Sequence, residues 1–231
     1  MYQYSVALAV FDYVPIILSA TGLYFIVRVI NQGDFAYPKL VVTAALLIIS
    51  AGLCKATWKL IIALNDVHIS VLNNALFVLM TPGFVLLAFC MWVYRRQYRD
   101  DPVKPTAWRC PASIILLFAS ISLYLAMSFP EQRLWFLVLL LPLTIANCVF
   151  TFHAAKHSFD VGNLAAGLFF ILNIIGVFAM SGLARTGDQS EAMQWIEEIV
   201  NAATQGAWAI AGYLLFKSAT ETSSTPAMNT N

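Results

Sequence analysis

Long apolar runs alternate with short polar breaks along the whole chain. Seven runs, at 4–30, 40–64, 69–94, 110–129, 134–155, 162–183 and 193–216, approach or exceed the roughly 20 residues that a membrane-crossing helix needs. The breaks between them hold turn residues or charge: polar residues at 31–34, Asn65 with Asp66, a basic stretch from Arg95 to Arg109, Pro130 with Glu131, Lys156 to Asp160, and Arg185 to Glu191. Strand-like alternation is absent, and backbone groups in lipid must be satisfied within the segment, so the runs read as helices. Short breaks make consecutive helices antiparallel neighbours. The expected fold is all-α: a polytopic seven-helix transmembrane bundle over residues 1–217, then a short polar cytoplasmic tail, 218–231, expected to be disordered.

Composition narrows the class. Of the 231 residues 60% are hydrophobic and 11% charged, against about 45–50% and 25% in soluble domains. One soluble core cannot absorb that excess, which excludes a soluble enzyme and a disordered chain. The net charge of +1 supplies no basic surface for nucleic acid. The partners expected are the lipid bilayer and a small polar or amphipathic ligand. Self-association is left open, and no cofactor is expected.

Basic residues set the orientation. Arg28, Lys39, Arg95, Arg96, Arg99, Lys104, Arg109, Lys156 and Lys217 fall on one side, and Arg133 and Arg185 on the other. The positive-inside rule then puts the N-terminus outside and the C-terminus in the cytoplasm, in a multi-pass protein of a cell or inner membrane. The first run has no basic leader and contains Asp12 and Pro15, unlike a cleaved signal peptide.

Charge inside the runs is the main pointer to chemistry, because each such residue costs about 2.5–3.5 kcal/mol on insertion and normally faces the bundle interior. Asp12, Lys55, Lys59, Glu197 and Glu198 are the candidates, all in the outer half of their helices. Counted from the run ends, Asp12 matches Lys55 in depth, and Lys59 matches Glu198. That predicts a paired, water-accessible cluster between the first, second and seventh helices.

The seventh run adds a polar stripe of Gln194, Glu198, Asn201, Gln205, Trp208 and Gly212 at helical spacing, fading inward to an aromatic plug. Asn74 on the third run and His68 in the loop before it complete the candidate ligand-binding set: Asp12, Lys55, Lys59, His68, Asn74, Glu198, Asn201, Gln205 and Trp208. Pro15, Pro82 and Pro142 offer kinks. The layout also allows helices one to three and five to seven to be parallel copies.

Other chemistry is weaker. His153, His157 and Asp160 share one helix end and could hold a metal, but nothing nearby in sequence completes the ligand set; a helix terminus among lipid headgroups accounts for them, and no metal site is expected. Cys54, Cys90, Cys110 and Cys148 are isolated and read as small apolar residues. No lysine lies deep in the seventh run, which argues against a retinal protein, and no catalytic residue can be assigned. The best expectation is a small-solute carrier or channel-like protein with a polar vestibule open to the non-cytoplasmic side. The alternatives are an intramembrane enzyme using carboxylates as acid and base on a lipid or isoprenoid substrate, and a membrane sensor or assembly subunit.

Overall fold

A computed structural model describes residues 5–183, 185 and 190–224. Among them lie α1 (Val6–Phe11), α2 (Tyr13–Ile30), α3 (Pro38–Asn65), α4 (Ser70–Gln97), α5 (Arg109–Ser128), a 3-10 turn at Pro130–Gln132, α6 (Leu134–Asp160), α7 (Leu164–Leu183) and α8 (Glu191–Ser224). With α1 and α2 taken as one segment, seven helices are long and apolar enough to cross a membrane. The expected all-α, seven-helix architecture is therefore present, with no strand among the described residues.

The helices differ from the apolar runs in instructive ways. α4, α6 and α8 continue past the apolar pattern into polar sequence, since a helix stays hydrogen-bonded on either side of the lipid boundary. For the same reason α8 carries residues 218–224, which the sequence assigned to a disordered tail. The predicted start of the first run at Tyr4 and the tail beyond Ser224 lie outside the described residues.

The first segment is broken at Asp12, which ends α1 and caps α2. Pro15 is the cause: it has no N–H for the carbonyl of Phe11, and its ring crowds that turn. Pro82 and Pro142 stay inside α4 and α6. The Thr81 hydroxyl donates to the carbonyl of Leu139 at 3.1 Å, tying the two proline-containing stretches together.

Packing joins α2 to α3, α3 to α4, α4 to α6, α6 to α7, α7 to α8 and α8 back to α2. Six membrane segments thus close a ring, and α5 packs outside it against α6 and α4. The two ends of the ring are called here the N-terminal face, where α1 and α8 begin, and the C-terminal face, where α2 and α8 end.

At the α2–α8 seam the two backbones approach closely. A Cβ on Gly212 would stand 2.8 Å from the backbone oxygen of Gly22, where no flexible side chain can yield. Gly212→Ala is expected to cost about 1–3 kcal/mol in a detergent unfolding titration, the usual range for overpacking. Above this seam Trp208 is 3% exposed, between Phe150 (ring centroids 4.9 Å), Phe170 (6.1 Å) and Phe84 (6.3 Å). Its indole also fills the space over Gly22.

Candidate functional site

At the N-terminal face, three segments deliver one ion cluster. Lys59 Nζ on α3 lies 3.2 Å from Asp12 Oδ2 at the α1–α2 break and 2.5 Å from Glu198 Oε1 on α8. Asp12 and Glu198 are 7% and 6% exposed, so the ammonium and both carboxylates are largely withdrawn from solvent. Helix ends explain the match. Asp12 lies six residues after the start of α1, Lys59 six before the end of α3 and Glu198 seven after the start of α8, about 9–11 Å in each case.

The expected partnership of Asp12 with Lys55 is corrected by that count. Lys55 lies ten residues from the end of α3, one turn too deep for Asp12. It donates instead to Asn73 Oδ1 at 2.6 Å and sits 4.0 Å from the centre of the Trp58 ring. Asn73, not its neighbour Asn74, is the α4 residue that receives a lysine, and adjacent helical positions point about 100° apart. His68 stacks edge-on against Trp58 with ring centroids 5.4 Å apart, so it borders the Lys55 group. Asn201 and Gln205 are half-buried on α8 but bond neither the ion cluster nor each other. Trp208 belongs to the packed aromatic core described above, where the sequence had placed it among ligand contacts.

Trp58, Asn73 and the Tyr13–Thr57 hydroxyl contact (3.1 Å) were not among the sequence candidates. The signal was available for two of them: Trp58 follows Lys55 by three positions, on the same helical face, and Asn73 adjoins Asn74.

The C-terminal face is built differently. A cavity of about 590 Å³ opens there, and its walls include Asp34, Tyr94, Tyr98, His157, Asp160 and Leu215. Gly33, at φ +72°, turns the chain after α2 to bring Asp34 to the rim. Gly162, at φ +77°, ends α6, and Asn163 then caps α7 by accepting from Ala166 N at 3.0 Å. The Asn163 amide also donates to Leu214 O at 2.9 Å and Ser218 Oγ at 2.5 Å, which anchors α8 against this wall.

Behind the wall, Arg95 (6% exposed) and Arg99 both donate to Asp160 Oδ2, at 2.7 and 3.0 Å. Arg95 Nη1 is 3.2 Å from His153 Nδ1, and because a guanidinium only donates, that nitrogen accepts. Two of the three residues that could have formed a metal set are thereby engaged by arginine. No group of three or more metal-ligating side chains occurs among the described residues. His157 is 2% exposed, with Tyr94 and Tyr98 edge-on to its ring at centroid distances of 5.0 and 4.9 Å. Its Nδ1 has no hydrogen-bond partner. From the last turn of α4, the Arg96 guanidinium lies 2.5 Å from Asp101 in the following loop and holds that exposed carboxyl below the usual carboxylate range.

The two faces are thus unlike: at the N-terminal face one lysine joins three segments, at the C-terminal face two arginines pair with Asp160 beside an open cavity, and the Trp208 cluster lies between. Leu215 is the α8 wall residue of the cavity nearest Trp208 in sequence, seven positions or about 10 Å along the helix. No family profile, no curated protein and no solved structure matches this chain.

Proposed function

We propose that the protein is a small-solute carrier, held here closed at the N-terminal face and open at the C-terminal face. The observation that carries this reading is the bridge from Lys59 to both Asp12 and Glu198, which clasps the first, second and seventh membrane segments at the N-terminal end. Such a clasp suits a gate. Its three charged groups can be rehydrated when that end opens, so most of the Coulombic gain is replaced by solvation. A packed apolar seam has no such compensation.

The other supports are positional. The nine-to-two distribution of basic residues favours a cytoplasmic C-terminal face, which would make the cavity a cytoplasmic vestibule and the clasp an external gate. On this reading the outward vestibule expected from Asp12, Lys55, Glu198, Asn201 and Gln205 forms when the clasp releases. Pro15, Pro82 and Pro142 give the first, third and fifth segments places to bend.

Thiol accessibility tests the proposal without knowledge of the solute. On a background with the four native cysteines replaced by serine, Asn201→Cys reports on the N-terminal side and Ala219→Cys on the cavity. With the clasp intact, a membrane-impermeant maleimide should label Ala219→Cys rapidly and Asn201→Cys slowly. Removing all three bridged charges together (Asp12→Asn, Lys59→Met, Glu198→Gln) strands neither carboxylate. It should raise Asn201→Cys labelling about ten-fold and lower that of Ala219→Cys, because opening one end closes the other. Unchanged rates at both positions would overturn the proposal.

A further inference from the structure

The cavity on the C-terminal face carries a chemical preference of its own. Its walls include two carboxylates, Asp34 and Asp160, and no lysine or arginine. Asp34 makes no ion pair and its carboxylate accepts no hydrogen bond among the described residues. Asp160 spends Oδ2 on both arginines and leaves Oδ1 uncommitted. Among the described residues Tyr94 and Tyr98 make ring contacts to His157 and no hydrogen bond through their hydroxyls, and the Nδ1 of the buried His157 has no partner. The two carboxylates only accept, and the hydroxyls can also accept, so a donor-bearing guest would be favoured at this wall.

Charge and rings sharpen the preference. Arg95 and Arg99 are both held by Asp160 Oδ2, and Lys217 lies 3.8 Å from Glu221. An anion entering the cavity would meet the unpaired carboxylate of Asp34, while the two arginines at Asp160 are already engaged by that carboxylate. Tyr94, Tyr98 and the imidazole of His157 stand together, with Phe35 also in the lining. Aromatic rings beside a carboxylate attract an organic cation through the ring quadrupole as well as through charge. The volume lies within the usual range for small-molecule sites.

We infer that this cavity binds a small organic ammonium ion bearing a hydroxyl or amine donor, with its charge beside Asp34 and the tyrosine rings and its donor towards His157 and Asp160. That such a ligand is the transported solute would rest on the carrier reading. Binding itself does not, so the test uses purified full-length protein in detergent with no gradient and no clasp variant.

Isothermal titration should compare choline, ethanolamine, 3,3-dimethylbutan-1-ol (the uncharged isostere of choline) and acetate. Choline or ethanolamine should bind, with the isostere at least about ten-fold weaker and acetate not at all. Asp34 is exposed and unpaired, so Asp34→Asn should keep the fold and weaken ammonium binding by about ten-fold. Tyr98→Leu, at a side chain 56% exposed, should weaken it by a smaller factor. The inference is overturned if neither ammonium binds, if the isostere binds as tightly as choline, if acetate binds in their place, or if Asp34→Asn leaves the affinity unchanged. Each of these results leaves the accessibility test of the carrier reading untouched.

Discussion

Replacing Lys59 with methionine is expected to destabilise the protein by about 3–5 kcal/mol, the penalty for leaving buried charges without their partner. Lys59 is the sole cation within 4 Å of either Asp12 or Glu198 among the described residues, so the single change strands two carboxylates that are each less than a tenth exposed. Methionine keeps much of the lysine stem's volume, which separates the electrostatic loss from a packing loss. The control is the triple replacement Asp12→Asn, Lys59→Met, Glu198→Gln, which removes every charge in the cluster. It should recover most of the lost stability, because replacing a whole buried ion group with neutral groups is often close to neutral. Reversible unfolding in sodium dodecyl sulfate measures both. A single variant as stable as the parent would mean that the carboxylates are hydrated, and that no clasp exists.

Trp208→Ala should be the other severe change, costing about 3–5 kcal/mol. The side chain is 3% exposed, touches rings from α4, α6 and α7 and covers Gly22 of α2, so its removal leaves a void where these helices meet α8. In lipid the transfer of apolar surface from water contributes little to helix association, and the loss here is of dispersion contacts. Trp208→Phe should recover more than half of it, because the buried Nε1 has no hydrogen-bond partner to lose. The same titration decides. An alanine variant that costs under about 1 kcal/mol would show that the ring cluster repacks, and that Trp208 does not seal the bundle.

Much of this architecture can be read from the chain, because lipid imposes a simple rule on it. Every run of about 20 apolar residues must be helix. The stripe from Gln194 to Gly212 was legible for the same reason: helical spacing puts these residues on one face, and Glu198, Trp208 and Gly212 do meet α2 or its neighbours. The pairing within the cluster was less legible. It turned on where α1 and α3 end, and hydropathy marks the lipid boundary more sharply than the helix end, so Lys55 was matched to Asp12 where Lys59 belongs.

The cavity was illegible for a different reason. Asp34, Tyr94, Tyr98, His157 and Leu215 come from a loop and the ends of three helices far apart in sequence. No local spacing links them, and the ring closure that does is a tertiary fact. Arg95 reads as one member of a basic cytoplasmic run, yet it is buried and bonded to Asp160, sixty-five residues away.

The most direct test of opposed faces is a pair of spin-label distances. Labels at Val67 and Glu191 span the N-terminal face, and labels at Lys156 and Lys217 span the C-terminal face. All four side chains are exposed. With the clasp intact, double electron–electron resonance should give one dominant distance for each pair. In the triple charge-removal variant the N-terminal distance should lengthen by about 5 Å while the C-terminal distance shortens, the scale of a helix shift by one turn. Identical distributions in the two proteins, or a lengthening at both faces together, would contradict the account.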